Sequence, residues 1–394
     1  MRDGGEMAGK AAIVGVADTP LKDGVLAEDG TVLQIQARAA KAALAEAGLT
    51  LKDVDGVFAA GSWGVPGPGA FMPATLAEYL GIRPRYMDGT QIGGSSFELH
   101  VGHASHAIAQ GACEVALILY GSRQRSDTSR TLGGRPGVLN GQYEAPYGLP
   151  TPVGAYAMAA MRHRHVHGTT AEQLAEIAVA TRKWAALNPG ATNRDPLSIA
   201  DVLASPMIAD PLHLRDCCLV TDGGGAIVVT SLERARDLKQ PPVVIAGVAE
   251  AMSHWGISSM EDLAWLHHAA DSGKRAMAMA GVTSADIDVA EIYDSFTITV
   301  LMSLEALGFC KRGEGGAFVE GQRTAPGGDF PLNTNGGGLS YCHPGMYGLF
   351  LLTEATRQLR GECGARQVKD CEVALAHGTG GVLSTVATCI LTRA

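Results

Sequence analysis

Charged and aromatic side chains are scarce in this chain of 394 residues: Asp, Glu, Lys and Arg together make 18%, and Phe, Trp and Tyr 5%. With 46% apolar residues, so low a charge content excludes a disordered chain and leaves ample material for a core. No block of Lys and Arg occurs and the formal net charge is −9, so nucleic acid is not an expected partner. No apolar run reaches the ~18 residues of a membrane-spanning helix, so no span is expected. The opening Met1-Arg2-Asp3-Gly4-Gly5-Glu6 lacks the apolar stretch of a signal peptide, which makes the expected location cytoplasmic. The eight cysteines are scattered and form no CxxC pair, which argues against a disulfide framework and a structural zinc site. His163, His165 and His167 alternate in MRHRHVHG, a spacing that does not converge on one helix face, so no metal is expected.

Glycine, by contrast, is abundant at 51 residues, clustered in short loops between apolar runs. The chain also repeats itself. The run AIVGVA from Ala12 parallels VIAGVA from Val244, an offset of 244 − 12 = 232. Residues 37–55 (ARAAKAALAEAGLTLKDVD) parallel 270–288 (ADSGKRAMAMAGVTSADID), an offset of 270 − 37 = 233. The pentapeptide CEVAL occurs at Cys113 and again at Cys371, an offset of 371 − 113 = 258. Three matches in one order indicate duplication. Each half reads as buried strand, Gly-stopped helix, strand, glycine loop, helix, strand, which implies an α/β fold with mainly parallel strands. Two stacked sheets with helices between and outside are expected. The boundary falls near residue 242, giving halves at 1–242 and 243–394. About 100 residues, roughly 123–222, have no counterpart in the second half. This insertion carries a helix near 170–187 and is read as a cap over the active site.

Ligands in such folds bind beyond the carboxyl ends of strands. Four loops there stand out: Gly93-Gly94-Ser95-Ser96; Tyr293-Asp294-Ser295-Phe296; the stretch NTNGGGLSYCHPGMYG, with Tyr341, Cys342 and His343; and His377-Gly378-Thr379-Gly380-Gly381. Glycines let backbone amides approach a ligand, and a helix N-terminus adds positive potential. That combination suits an oxygen that becomes negative during reaction, with Gly94, Ser95, Gly337, Gly338 and Gly380 as the candidate loop positions. Histidine and tyrosine beside them supply proton transfer. Asp294 either orients Tyr293 or a histidine, or caps the helix that follows.

At these residues, and over nearly its whole length, the chain resembles the thiolase superfamily. Within it the resemblance is to lipid-transfer-protein-type (sterol-carrier-protein-type) thiolases and most nearly to the steroid side-chain-cleaving aldolases. NTNGGGLSYCHPGMYG is similar to the thiolase NxNGGxxxxGHPxGxxG loop, which places His343 on the catalytic histidine. YDSF from Tyr293 lies where thiolases carry NEAF, and HGTGG from His377 where they carry CxGGG, so His377 replaces an acid/base cysteine. HGTTAEQLAEIAV and NPGA are similar to that family's loop domain. The resemblance implies duplicated βαβαβ halves layered α-β-α-β-α with an inserted loop domain. It also implies a coenzyme A thioester as substrate with no bound cofactor, a homodimer, and a small partner protein combining a zinc ribbon with an OB-fold.

One departure decides the chemistry. Where thiolases carry the nucleophilic cysteine, this chain reads Gly93-Gly94-Ser95-Ser96, which puts Gly94 there, or Ser95 after a shift of one. Neither offers a thiolate. Retro-aldol cleavage of a branched β-hydroxyacyl-CoA needs none: a base takes the hydroxyl proton, and the chain parts into a ketone or aldehyde and a shorter acyl-CoA. Tyr293, Tyr341, His343 and His377 are the candidate catalytic residues, with either tyrosine as base. Cys342 is the candidate for a rival covalent reading. The alternatives are a thiolase-type acetyl-CoA acyltransferase and an inactive CoA- or lipid-binding scaffold.

Overall fold

The computed structural model describes residues 9–61, 71–127, 138–150 and 152–394. The opening six residues and the glycine-rich part of the insertion at 128–137 lie outside these. Nine strands build the main sheet: β1 (Ala11–Asp18), β2 (Gly56–Ala59), β3 (Tyr86–Asp88), β4 (Val115–Ser122), β5 (Gly223–Ser231), β6 (Val243–Met252), β7 (Val289–Ile292), β8 (Val373–Gly380) and β9 (Thr385–Arg393). Their order is β7-β8-β9-β6-β1-β5-β4-β2-β3. Within each half every strand but one runs the same way; β5 and β9 are the reversed strands.

The two expected sheets are joined edge to edge. β1 and β6 pair directly, Ala12 with Val244 and Ile13 with Val243, so the halves form one continuous sheet. The layers remain. Helices α1 (Val32–Ala47) and α5 (His267–Ala280) cover the outer faces, and α2 (Ser96–Ala109) and α7 (Gly348–Arg360) form the middle. Three apolar clusters follow this order. One holds Ala40 and Leu44 of α1 against Val14 and Leu117. The central one holds Phe97 and Val101 of α2 with Leu352 and Leu359 of α7 between Ile118 and Ile245. The third holds Ala269 and Ala276 of α5 and Leu301 of α6 (Thr297–Ala306) against Leu375 and Ile390.

The duplication extends to atomic detail. Both first strands of the halves slip register at the same place, between Ile13 and Gly15 and between Ile245 and Gly247. At both glycines the outer helix comes too close for a side chain: a Cβ would lie 2.1 Å from Ala43 O and 2.2 Å from Ala276 O. The repeated aspartates explain the repeated pentapeptide. Asp55 accepts the amides of Glu114 and Val115 at 2.8 and 2.9 Å, and Asp288 those of Glu372 and Val373 at 2.8 and 2.9 Å.

Between β4 and β5 the chain forms α3 (Val153–His167) and α4 (Ala171–Leu187). Thr170 and Gln173 close a capping box at the start of α4. The insertion is strapped to the second half by backbone bonds: Thr192 N to Tyr341 O, Asn193 N to Ser340 O, Leu219 N to Gly338 O and Thr221 N to His343 O. It holds the loop that carries Tyr341 and His343.

Candidate active site

Tyr293 stands at the end of β7, its amide donating to His377 O at 3.0 Å. Its ring occupies the space beside Gly94. A Cβ on Gly94 would lie 2.2 Å from Tyr293 Cε2 and 2.5 Å from Thr379 O, so no side chain fits at position 94 while the tyrosine is seated there. The Tyr293 hydroxyl meets His343 Nε2 at 2.8 Å, with the rings edge to face at 5.6 Å between centroids. Both residues are buried. His343 is fixed from the insertion, where Thr221 accepts its amide at 3.0 Å and donates to its carbonyl at 3.2 Å.

The loop before it forms a single π-type turn at Gly337–Tyr341. It starts with Gly336 and Gly337 at φ of 103° and 59°, a region that favours glycine. A Cβ on Gly337 would also strike Asp294 Oδ2 at 2.1 Å. Asp294 caps no helix; it accepts the amides of Gly338 at 2.5 Å and Leu339 at 3.1 Å, clamping the turn. Burial raises its ionisation to about 7, and the two amides limit the rise. Gly337 donates to Asn335 Oδ1 at 2.8 Å. The amides of Gly337 and Gly338, expected as oxyanion donors, are engaged here by the side chains of Asn335 and Asp294. Gly380 serves close packing, since a Cβ there would lie 1.8 Å from Ile92 O. Ser95 is fully buried and its hydroxyl donates to that same carbonyl at 3.2 Å, which leaves it no role as a nucleophile.

The two tyrosines have different partners. Tyr341 donates its hydroxyl to Asp18, which also pairs with Arg357 at 2.7 Å. Burial alone would raise Asp18, but Arg357 and the Tyr341 hydroxyl turn the balance and hold it below the usual carboxylate range. Burial and the Asp18 charge push the Tyr341 phenol well above 10. A cavity of about 190 Å³ opens on this side, lined by Asp18, Asn188, Asn335, Tyr341 and Arg357; neither Tyr293 nor His343 lines it.

His377 is not brought to the pair. Its Nδ1 bonds Thr388 Oγ1 at 2.8 Å, and Thr388 bonds Ser272 of α5 at 2.9 Å, so the imidazole faces the outer layer. Burial, with His268 nearby, lowers its ionisation to about 3. Cys342 is buried, and burial together with Asp18 and Asp294 raises its thiol well above 9, the reverse of an activated nucleophile. His163 is likewise a buried structural histidine, between Thr169 at 2.7 Å and Glu305 at 3.3 Å. Among the described residues no group of three or more His, Cys, Asp or Glu is placed to hold a metal, and no helix is long and apolar enough to cross a membrane. The sequence reading passed over Asp18, Arg357, Thr221 and Glu98, whose places depend on segments far apart in the chain. An acid closing the buried run AAIVGVAD was the one available signal, for Asp18.

The five layers, the two facing halves and a histidine loop meeting a strand-end residue over a glycine turn define a thiolase-fold enzyme. Residues 249–393 match the thiolase C-terminal domain-like family. The chain is 36% identical over 375 residues to a 17-hydroxy-3-oxo-4-pregnene-20-carboxyl-CoA lyase of Mycobacterium tuberculosis, covering 90% of this chain and 92% of the relative. It is 35% identical to a steroid side-chain-cleaving aldolase of Thermomonospora curvata, with 95% and 96% covered. An acetyl-CoA acetyltransferase of Methanothermobacter thermautotrophicus is 31% identical, with 97% and 99% covered. The solved Ltp2-ChsH2(DUF35) aldolase superposes with a TM-score of 0.88 at 33% identity, covering 98% of both chains. The chain belongs to the thiolase superfamily, among the lipid-transfer-protein-type thiolases that include side-chain-cleaving aldolases.

Proposed function

We propose that this enzyme cleaves a branched β-hydroxyacyl-CoA by a retro-aldol reaction, with Tyr293 as base and His343 as its proton partner. The observation that carries this reading is the Tyr293 ring lying in the space a side chain at position 94 would need. The phenol proton passes to His343 Nε2, 2.8 Å away. The phenolate takes the substrate's β-hydroxyl proton, the new C=O forms and the Cα–Cβ bond breaks. Its electron pair becomes the enolate of the shorter acyl-CoA. Protonated His343 returns its proton to that α-carbon, so Tyr293 and His343 both end as they began. A tyrosine ionises near 10 in water, and the adjacent imidazole supplies the acceptor that chemistry near neutrality requires. Tyr341, held by Asp18 and Arg357, orients substrate and shapes the cavity wall.

One relative named as a steroid side-chain-cleaving aldolase and another named as a 17-hydroxy-3-oxo-4-pregnene-20-carboxyl-CoA lyase support a steroid or similar side chain as the acyl group. A DUF35 protein, the expected zinc-ribbon and OB-fold partner, completes the enzyme, in keeping with the solved aldolase. The working form is a homodimer in the cytoplasm. The test mixes pure protein and partner with a tertiary β-hydroxyacyl-CoA and follows ketone and CoA products. Intact mass after acetoacetyl-CoA is measured in parallel. Ketone release with no mass shift supports the reading. An acyl adduct on a cysteine with acetyl-CoA formed would replace it with acyl transfer.

A further inference from the structure

Glu98 is a buried acid that the reaction above does not use. It sits in the first turn of α2, one turn beyond Gly94. The residue is 0% exposed, and neither carboxyl oxygen has a hydrogen-bond partner among the described residues. No cation pulls on it, and burial raises its ionisation to about 8. A methionine of the same reach would fill this space without the cost of burying a polar group, so packing alone does not account for a carboxyl.

Its surroundings are built around it. A Cβ on Gly348 would lie 2.4 and 2.7 Å from the two Glu98 oxygens and 2.3 Å from Gly94 O; one on Gly378 would lie 2.3 Å from Glu98 Oε2. These glycines belong to three segments that meet at Tyr293. Gly94 seats its ring, Gly348 opens α7 just after the His343 loop, and Gly378 follows His377 in β8.

We infer that Glu98 is a positioning residue for Tyr293, a buried acid wedged between the Gly94 turn, the start of α7 and the end of β8. The kinetic part of this inference rests on the retro-aldol reading; the structural part does not. A negative charge in this cage would oppose the phenolate formed beside Gly94 and drive the three segments apart. Of the elements packed around it, α7 and β8 present the glycines, and β9 presents Cys389, whose thiol feels the Glu98 charge and is itself raised by burial. Activity should therefore decline on the alkaline side as Glu98 loses its proton.

The test compares wild type, Glu98→Gln and Glu98→Ala as full chains. Without substrate, Glu98→Gln should melt above wild type by a margin that widens from pH 5 to pH 9, because only wild type must carry a buried proton-releasing group. Amide exchange at residues 93–97 should be at least about tenfold faster in Glu98→Ala than in Glu98→Gln. With the cleavage assay, Glu98→Gln should keep kcat within about threefold at neutral pH and lose the alkaline decline. Glu98→Ala should lose at least about tenfold in kcat with little change in KM. A pH-independent melting margin, or equal exchange and kcat in all three proteins, overturns the inference. If Glu98→Ala does not fold, the Glu98→Gln melting series and alkaline limb still decide. A wild type that cleaves no β-hydroxyacyl-CoA counts against the retro-aldol reading and leaves the melting and exchange results to judge Glu98.

Discussion

Positions 94 and 293 share one volume, and that sharing is open to measurement. Placing a cysteine at Gly94 should destabilise the protein by about 1–3 kcal/mol, the usual range for overpacking a filled core. Adding Tyr293→Asn should recover part of that loss, because the Thr379 O contact remains, whereas two independent sites would give a simple sum. A Gly94→Cys protein that melts like wild type, or a double variant that melts at the sum of its parts, would remove the steric argument. The different partners of the two tyrosines separate their roles. Tyr293→Phe removes the hydroxyl paired with His343 and should lower kcat by roughly 10²-fold or more. Tyr341→Phe removes a hydroxyl bound to Asp18 and should act mainly on KM. A larger kcat loss in Tyr341→Phe would exchange the assignments.

Among the elements, the repeat makes paired predictions. Asp55 and Asp288 each tie the start of an inner strand by two amide bonds of the same length. Asp55→Ala and Asp288→Ala should each cost roughly 1–3 kcal/mol, the range for amides left without an acceptor, and by similar amounts. Denaturant melts of both variants check this, and a difference of several-fold would mean that the halves are not energetic equivalents. The elements also show what sequence reveals. Buried strands, Gly-stopped helices and the capped insertion helix were legible because each is a local pattern of apolar period and stop residue. The face of a strand is harder to read. In β8 one step of register separates His377, which faces α5, from Gly378, which faces Glu98. Tyr293 could be singled out because it follows the end of an apolar strand, and His343 because it sits in a glycine loop. Glu98 and Arg357 could not, because their surroundings come from segments hundreds of residues apart.

For the whole molecule, buried ionisable groups set the response to pH. Glu98 and Asp294 ionise near 8 and 7, and Glu291 is also raised by burial and by Glu354. Carboxyls raised on folding bind more protons in the folded state, so they remove stability as pH rises from about 4 to 8. Buried His100, His268 and His377 are lowered to about 4, 4 and 3, so they remove stability as pH falls below about 6.5. The two sets oppose each other between about pH 4.5 and 6.5, and only the acids act above that. The melting temperature should be nearly flat through the first window and fall from about pH 6.5 to 8. A melting temperature that climbs through neutrality would show that these acids are ionised in the folded chain. The shared volume of Gly94 and Tyr293 has a historical consequence as well. A chain with a side chain at position 94 and this tyrosine bears that packing cost, so a lineage that gains the phenol is under pressure to keep position 94 bare.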